Sequence, residues 1–246
     1  PMSSSIWSSS QESIKRFPMK SLSSFFKNHG LLDLIKRPQW FTVLGGSDNY
    51  VEKIINGSDI NNVITNAELL IKREGNKVSL QNKSVASQYD VLIFACHANQ
   101  IQEILTDISP KEAEILSMFE YTSNNVLLHD DKNLMPKEES LWSSWNSFKS
   151  INYDYVTYWM NNLQKLDTEK EIFVTLGNCP EIDDARVFKK ICYEHPLYSE
   201  NTLEGQKYLK SIQGENNTYF VGAHLGYGFH EDGIKSTDEV LDNINE

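Results

Sequence analysis

The run Gly226-Tyr227-Gly228-Phe229-His230-Glu231-Asp232-Gly233 sets a histidine and two carboxylates behind a glycine-rich turn. Histidine titrates near neutrality and is the side chain best suited to moving a proton at physiological pH, so His230 is a candidate proton-handling or positioning group. A histidine merely hydrogen-bonded in the turn fits the pattern equally well. A second trio, His129-Asp130-Asp131, shares with the first the residue types of a metal site. Neither trio has the i, i+4 histidines of a helical zinc site, and Cys96, Cys179 and Cys192 form no C-x-x-C pair, so no metal is assigned. His129 and its acids read instead as a solvated strand end, and Cys96 and Cys192 as buried small residues. Gly45-Gly46-Ser47 is not G-x-S-x-G, and no triad order is visible, which sets a serine hydrolase aside.

These residues need elements to hold them. Residues 11–36 carry an apolar helical stripe that stops at Arg37-Pro38. Trp40–Leu44 reads as a strand. Behind it Ser47 reads as an N-cap, with Tyr50, Val51, Ile54 and Ile55 at helical spacing. Strand, glycine turn and helix N-terminus together form an anion-binding geometry, although a double glycine is also simply a tight turn. Glu68–Arg73 and Lys77–Gln81 flank a three-residue hairpin loop. Tyr89–Cys96 reads as a strand buried on both faces of a parallel sheet, leading through His97 into a helix. Ser109-Pro110-Lys111-Glu112 is a capping box with proline at the first helical position. Aromatic strands follow at Asn125–His129, Tyr153–Met160 and Glu171–Leu176. Tyr155 and Trp159 share one strand face, which either lines an apolar substrate cavity or is plain core. A strand at Thr218–Gly222 and a helix through Val240, Leu241 and Ile244 close the chain.

Composition narrows the field. The 246 residues carry 23 Lys and Arg against 34 Asp and Glu, a net charge of −11 with no basic run, which argues against a nucleic-acid partner. The longest apolar stretch, Val91–Cys96, cannot span a bilayer, and peripheral membrane contact stays open. An odd number of cysteines without a pairing pattern reads as a reducing, cytoplasmic setting. The chain opens at Pro1 directly on Trp7, Phe17, Leu22, Phe25 and Phe26, which read as core-forming residues of a chain cut within an element, with a processed N-terminus as the alternative.

Trp40–Ser47 with Tyr50-Val51, the hairpin, and Tyr89–Ala95 together resemble the middle FAD-domain segment of amine oxidases and phytoene desaturases. Tyr219–Ala223 through Gly233-Ile234-Lys235-Ser236 is similar to their C-terminal flavin motif. Ile6-Trp7-Ser8, Asn28–Leu32, Leu134-Met135-Pro136, Trp142 with Trp145-Asn146, Thr157–Asn161 and Gly226–Gly233 look like a bacterial subgroup of NAD/FAD-binding amine oxidase-like proteins. The resemblance covers nearly the whole chain.

The resemblance implies an α/β fold of mixed α+β character. Residues 38–106 and 216–246 would form a discontinuous, Rossmann-like FAD domain, and residues 1–37 and 107–215 a mixed-sheet substrate domain. The cofactor would be FAD, met by Gly45, Gly46, the backbone near Leu69, Ala95, Cys96 and His97 at a strand end, Gly222, Ala223, and the amides of Asp232, Gly233 and Ile234. Tyr155, Trp159 and Phe229 would face the substrate, and His230 would handle a proton beside the ring. Hydride transfer from a small molecule or an acyl lipid is the implied chemistry; the lipid follows from the subgroup's association with lipid-modifying methyltransferases. Two departures stand out. His224 occupies a position where many members carry an acid, and no G-x-G-x-x-G turn is present. Residues 1–246 alone are therefore expected to hold FAD more weakly than micromolar and to be inactive without an upstream segment. The competing expectation is a non-catalytic flavoprotein half that serves as a binding or subunit module.

Overall fold

The computed structural model describes residues 3, 6, 7, 14, 15, 17–33, 35, 39, 41–60, 62–81 and 86–245. Two compact units emerge: residues 15–33, 64–121 and 196–246 form one, and residues 1–14, 34–63 and 122–195 the other. Among the described residues no helix is long and apolar enough to cross a membrane.

In the first of these units, α1 (Met19–Asn28) buries Phe25 and ends where Gly30 takes φ +62°. The apolar stripe expected over residues 11–36 thus stops short of Arg37-Pro38, which lies outside the described residues. Strands β1 (Leu70–Glu74), β2 (Lys77–Gln81) and β3 (Ala86–Tyr89) make an antiparallel meander. Glu74 pairs with Lys77, so the hairpin loop has two residues, Gly75 and Asn76, rather than three; Gly75 at φ +61° permits the tighter turn. β4 (Leu92–Phe94) leads into α3 (Ala98–Ile104) and α4 (Pro110–Ser117). Tyr89–Cys96 is not one strand. Tyr89 ends β3, and Ile93 on β4 is 43% exposed, so β4 is buried on one face instead of two.

α4 opens as its capping box requires: Ser109 Oγ accepts from Glu112 N–H at 3.2 Å, and Glu112 Oε2 accepts from Ser109 N–H at 2.9 Å. The same Glu112 carboxylate takes the buried Arg73 guanidinium in a two-pronged bond, and Asp107 accepts from Arg73 Nε at 2.9 Å. The hairpin is thereby tied to α4. Ile71, Val78, Phe94, Ile101, Leu116, Leu209 and Phe220 form the apolar core around it.

The other unit contains α2 (Asp48–Gly57), β5 (Glu120–His129) from Thr122 onward, β6 (Trp145–Lys149), β7 (Asp154–Trp159), the short α5 (Met160–Gln164), β8 (Phe173–Asn178) and β9 (Val187–Leu197) as far as His195. The strands form one sheet in the order β6-β7-β8-β5-β9; β5, β7 and β8 overlap the three aromatic strands expected from the sequence, whereas β6 and β9 were not expected. Phe41–Val43 is not a strand, and Trp40 is outside the described residues. α2 forms where its spacing predicts, yet buries none of its residues, and Ser47 makes no side-chain cap. Two further readings are overturned. His129 is 0% exposed rather than solvated, because its strand is interior to the sheet, and Cys192, on the edge strand β9, is exposed.

The chain closes, in the first unit, with α6 (Glu200–Ser211), β10 (Thr218–Phe220) and α7 (His230–Asn245).

Candidate functional site

β4 and β10 pair in parallel, Leu92 with Thr218 and Phe94 with Phe220, and Val221 N–H donates to Phe94 O at 2.8 Å. Parallel pairing sends both chains off the same carboxyl end, so Ala95-Cys96-His97 and Gly222-Ala223-His224 leave the sheet together. That end is where open α/β sheets receive ligands.

Gly222 adopts φ +143°, and a β-carbon there would lie 2.9 Å from the His224 ring. Only glycine fits this corner without strain. Its N–H donates to Ser236 Oγ at 2.9 Å, which fastens the corner to α7. The turn Ala223–Leu225 then buries His224 edge-on against Phe119 at 5.1 Å, while Gln206 Nε2 donates to His224 O. Burial, helped by neighbouring His97, pushes the His224 pKa down to about 4. His97 stacks on Tyr121 at 4.7 Å. Nδ1 of His97 and Nε2 of His224 are both shut off from solvent and have no hydrogen-bond partner among the described residues.

α7 begins at His230, so Asp232, Gly233 and Ile234 lie inside its first turns. The N–H groups of Asp232 and Gly233 bond to Phe229 O at 3.0 and 3.3 Å. The Asp232 carboxylate accepts the N–H groups of Tyr227 and Phe229, each at 3.0 Å, and so shapes the turn that carries Phe229 and His230. A β-carbon on Gly233 would meet Ala223 N at 3.8 Å, an ordinary contact. Phe229 stacks on Phe25 at 4.9 Å, with His29 beside both. His230 is exposed, and Ile234 is 60% exposed. Burial drives the Tyr198 pKa up, and its hydroxyl donates to Ala223 O.

Of the residues singled out in the sequence, Cys96, His97, Gly222 and Ala223 converge at the strand ends, with Ala95 exposed next to them. Leu69 directly precedes β1. Gly45 and Gly46 belong to the other unit, where they take φ +79° and +93° in the turn before α2. Tyr155 is buried against Phe148 at 4.9 Å, and Trp159 meets Trp142 edge-on at 5.3 Å. Tyr155 and Trp159 are absent from the lining of a cavity of about 710 Å³ in that unit, which Val126, Ile182, Ile191, Cys179 and Cys192 help to line. The same sheet buries a polar string, with His129 Nε2 2.8 Å from Thr175 Oγ1 and that oxygen 2.8 Å from Thr157 Oγ1. Among the described residues no three His, Cys, Asp or Glu are grouped to hold a metal.

Sequence reading noted His224 only as a departure. Its position two residues after Gly222 was the signal available, and its burial came from the turn.

No family model matches the chain, and no curated protein matches it. Solved structures share its fold. A protein described as a protoporphyrinogen oxidase from Exiguobacterium sp. 255-15 is 12% identical with a TM-score of 0.58, and the match covers 92% of this chain and 57% of that one. Cyclohexylamine oxidase from Brevibacterium oxydans is 9% identical with a TM-score of 0.56, covering 82% and 54%. A fatty acid isomerase from P. acnes that produces CLA is 16% identical with a TM-score of 0.51, covering 77% and 50%. The chain thus spans about half the length of the structures it matches, and the likeness establishes the mixed α/β, amine oxidase-like fold.

Proposed function

We infer that the chain is part of an FAD-dependent oxidoreductase of the amine oxidase-like superfamily. The observation that carries this reading is the parallel β4–β10 pair, whose carboxyl ends join a glycine-only corner at Gly222 to two buried histidine nitrogens that no described residue partners. Orphaned polar atoms beside a corner without side chains fit a polar ligand lying along the strand ends.

In this reading Ala95, Cys96, His97, Gly222 and Ala223 hold the cofactor at the strand ends, while α7 directs its positive N-terminal dipole end toward the site. Bound FAD would supply a two-electron acceptor for a hydride from a substrate carbon. Asp232 keeps the turn before α7 in shape, and the Phe25–Phe229 stack holds the apolar side of that turn. His230, exposed on the first turn of α7, takes or gives the proton that accompanies oxidation. An acyl lipid is the proposed substrate class, a proposal encouraged by the shared fold of the fatty acid isomerase.

The test is a flavin fluorescence titration of the chain with FAD up to millimolar concentration. Saturable binding, weaker than micromolar, is expected. Flavin fluorescence that never departs from that of free FAD would overturn the reading.

A further inference from the structure

Buried polar groups in folded proteins nearly always have partners, and each exception calls for a reason. Two exceptions lie together here. The His224 side chain sits in a residue that is 6% exposed, its Nε2 is sealed from solvent, and no described residue bonds to it. Nδ1 of His97 is equally sealed and equally without a partner. Both rings are held in place. Phe119 stands edge-on to His224, a β-carbon at Gly222 would lie 2.9 Å from its Cε1 and Nδ1, and Gln206 anchors its carbonyl. His97 lies flat on Tyr121, and its backbone N–H donates to Gln100 Oε1 at 3.2 Å.

A histidine kept for packing alone would be a poor choice here, since leucine would fill the space without an unsatisfied nitrogen. Ionisable groups in this part of the unit include Cys96 after β4, His97 at the start of α3, Tyr121 on β5, Tyr198 ahead of α6 and Asp232 on α7. The charge that acts on His224 is that of His97, and it opposes protonation, as burial does. No carboxylate contributes to its titration. The His224 ring is therefore neutral at pH 7, with one N–H and one lone pair to offer.

We propose that His97 and His224 form a two-histidine clasp for the uncharged, hydroxyl-bearing part of a bound ligand, namely the polyol chain of a flavin. The proposal rests on the flavin reading of the strand ends. A hydroxyl both donates and accepts, so it satisfies a neutral imidazole in either tautomer. A phosphate oxygen only accepts, so it leaves the lone pair of a neutral ring unused, and its charge favours a protonation that the buried setting resists.

The test uses the whole chain labelled with ¹⁵N and follows the ring nitrogens of both histidines by long-range proton–nitrogen correlation at pH 7.5. FAD at millimolar concentration is expected to shift His224 Nε2 and His97 Nδ1 while both rings keep a neutral pattern. Inorganic pyrophosphate at the same concentration is expected to leave them unchanged. His224→Leu should melt at the wild-type temperature or above, because it removes an unsatisfied group, yet bind FAD about tenfold more weakly. His97→Phe, which retains the stack on Tyr121, should lose affinity similarly. Ring nitrogens that ignore saturating FAD would overturn the clasp and leave the flavin reading standing. Protonation of either ring by pyrophosphate would make this an anion site and overturn the clasp. A His224→Leu variant that melts lower and binds FAD undiminished would make His224 structural. Failure of the wild-type chain to bind FAD at all would remove both claims.

Discussion

His129 Nδ1 accepts the N–H of Asp131 at 3.1 Å, which assigns its proton to Nε2 and makes that nitrogen the donor to Thr175. Protonating the ring would put a second proton against the Asp131 N–H inside the sheet. Burial accordingly lowers the His129 pKa, with Arg186 adding to the effect and Asp131 and Asp130 opposing it. The His224 pKa is lowered to about 4. The unfolded chain, in which both titrate near the ordinary value of about 6.5, therefore binds protons more readily than the fold does. Their contribution to stability is complete above about pH 6.5 and is lost as the pH falls below it, for His224 toward about 4. For His224 alone the loss is on the order of 3 kcal/mol. Urea denaturation between pH 7.5 and 4.5 should show stability falling with pH, and a flat or rising profile would contradict the assignment. Nothing in His129-Asp130-Asp131 as a string of letters announces this burial. It arises because the side chain reaches diagonally across the sheet to Thr175, a pairing that is set by register between distant segments.

At the scale of elements, local signals were the readable ones. The Ser109–Glu112 box, the spacing of Tyr50, Val51, Ile54 and Ile55, and the alternation through Tyr153–Met160 each produce the element they predict. Tertiary uses of the same residues were not visible. Glu112 caps α4 and also neutralises Arg73, and although burial pushes its pKa up, the bonds from Arg73 and Ser109 outweigh that and hold it below the usual carboxylate range. Glu112→Ala should cost about 3 kcal/mol, since it leaves Asp107 as the one carboxylate bonded to the buried guanidinium, and chemical denaturation would read this directly. A loss below about 1 kcal/mol would mean that the pair is solvated. The Phe41–Leu44 segment failed as a strand because no neighbour among the described residues pairs with it. α2 has the opposite fate: it is formed, yet Tyr50, Val51, Ile54 and Ile55 are 37–56% exposed. A ten-residue helix without burial is marginal, so amides of residues 48–57 should exchange with solvent far faster than those of α4. Comparable protection of the two would show that the apolar face of α2 is covered.

For the molecule as a whole, the order of segments in the sequence implied the amine oxidase-like fold, and the parallel pairing of β4 with β10 brings together residues more than a hundred positions apart. The histidine clasp was not legible, because it depends on a turn after Gly222 that only glycine can make. The central claim is that the strand ends of β4 and β10 receive FAD. Hydrogen–deuterium exchange of the chain with and without millimolar FAD tests it most directly. The account predicts new protection confined to Ala95–Ala98, Gly222–Leu225 and the first turn of α7, with the five-stranded sheet unchanged. Protection that appears in the sheet or along the 710 Å³ cavity instead, with none at the strand ends, would contradict it.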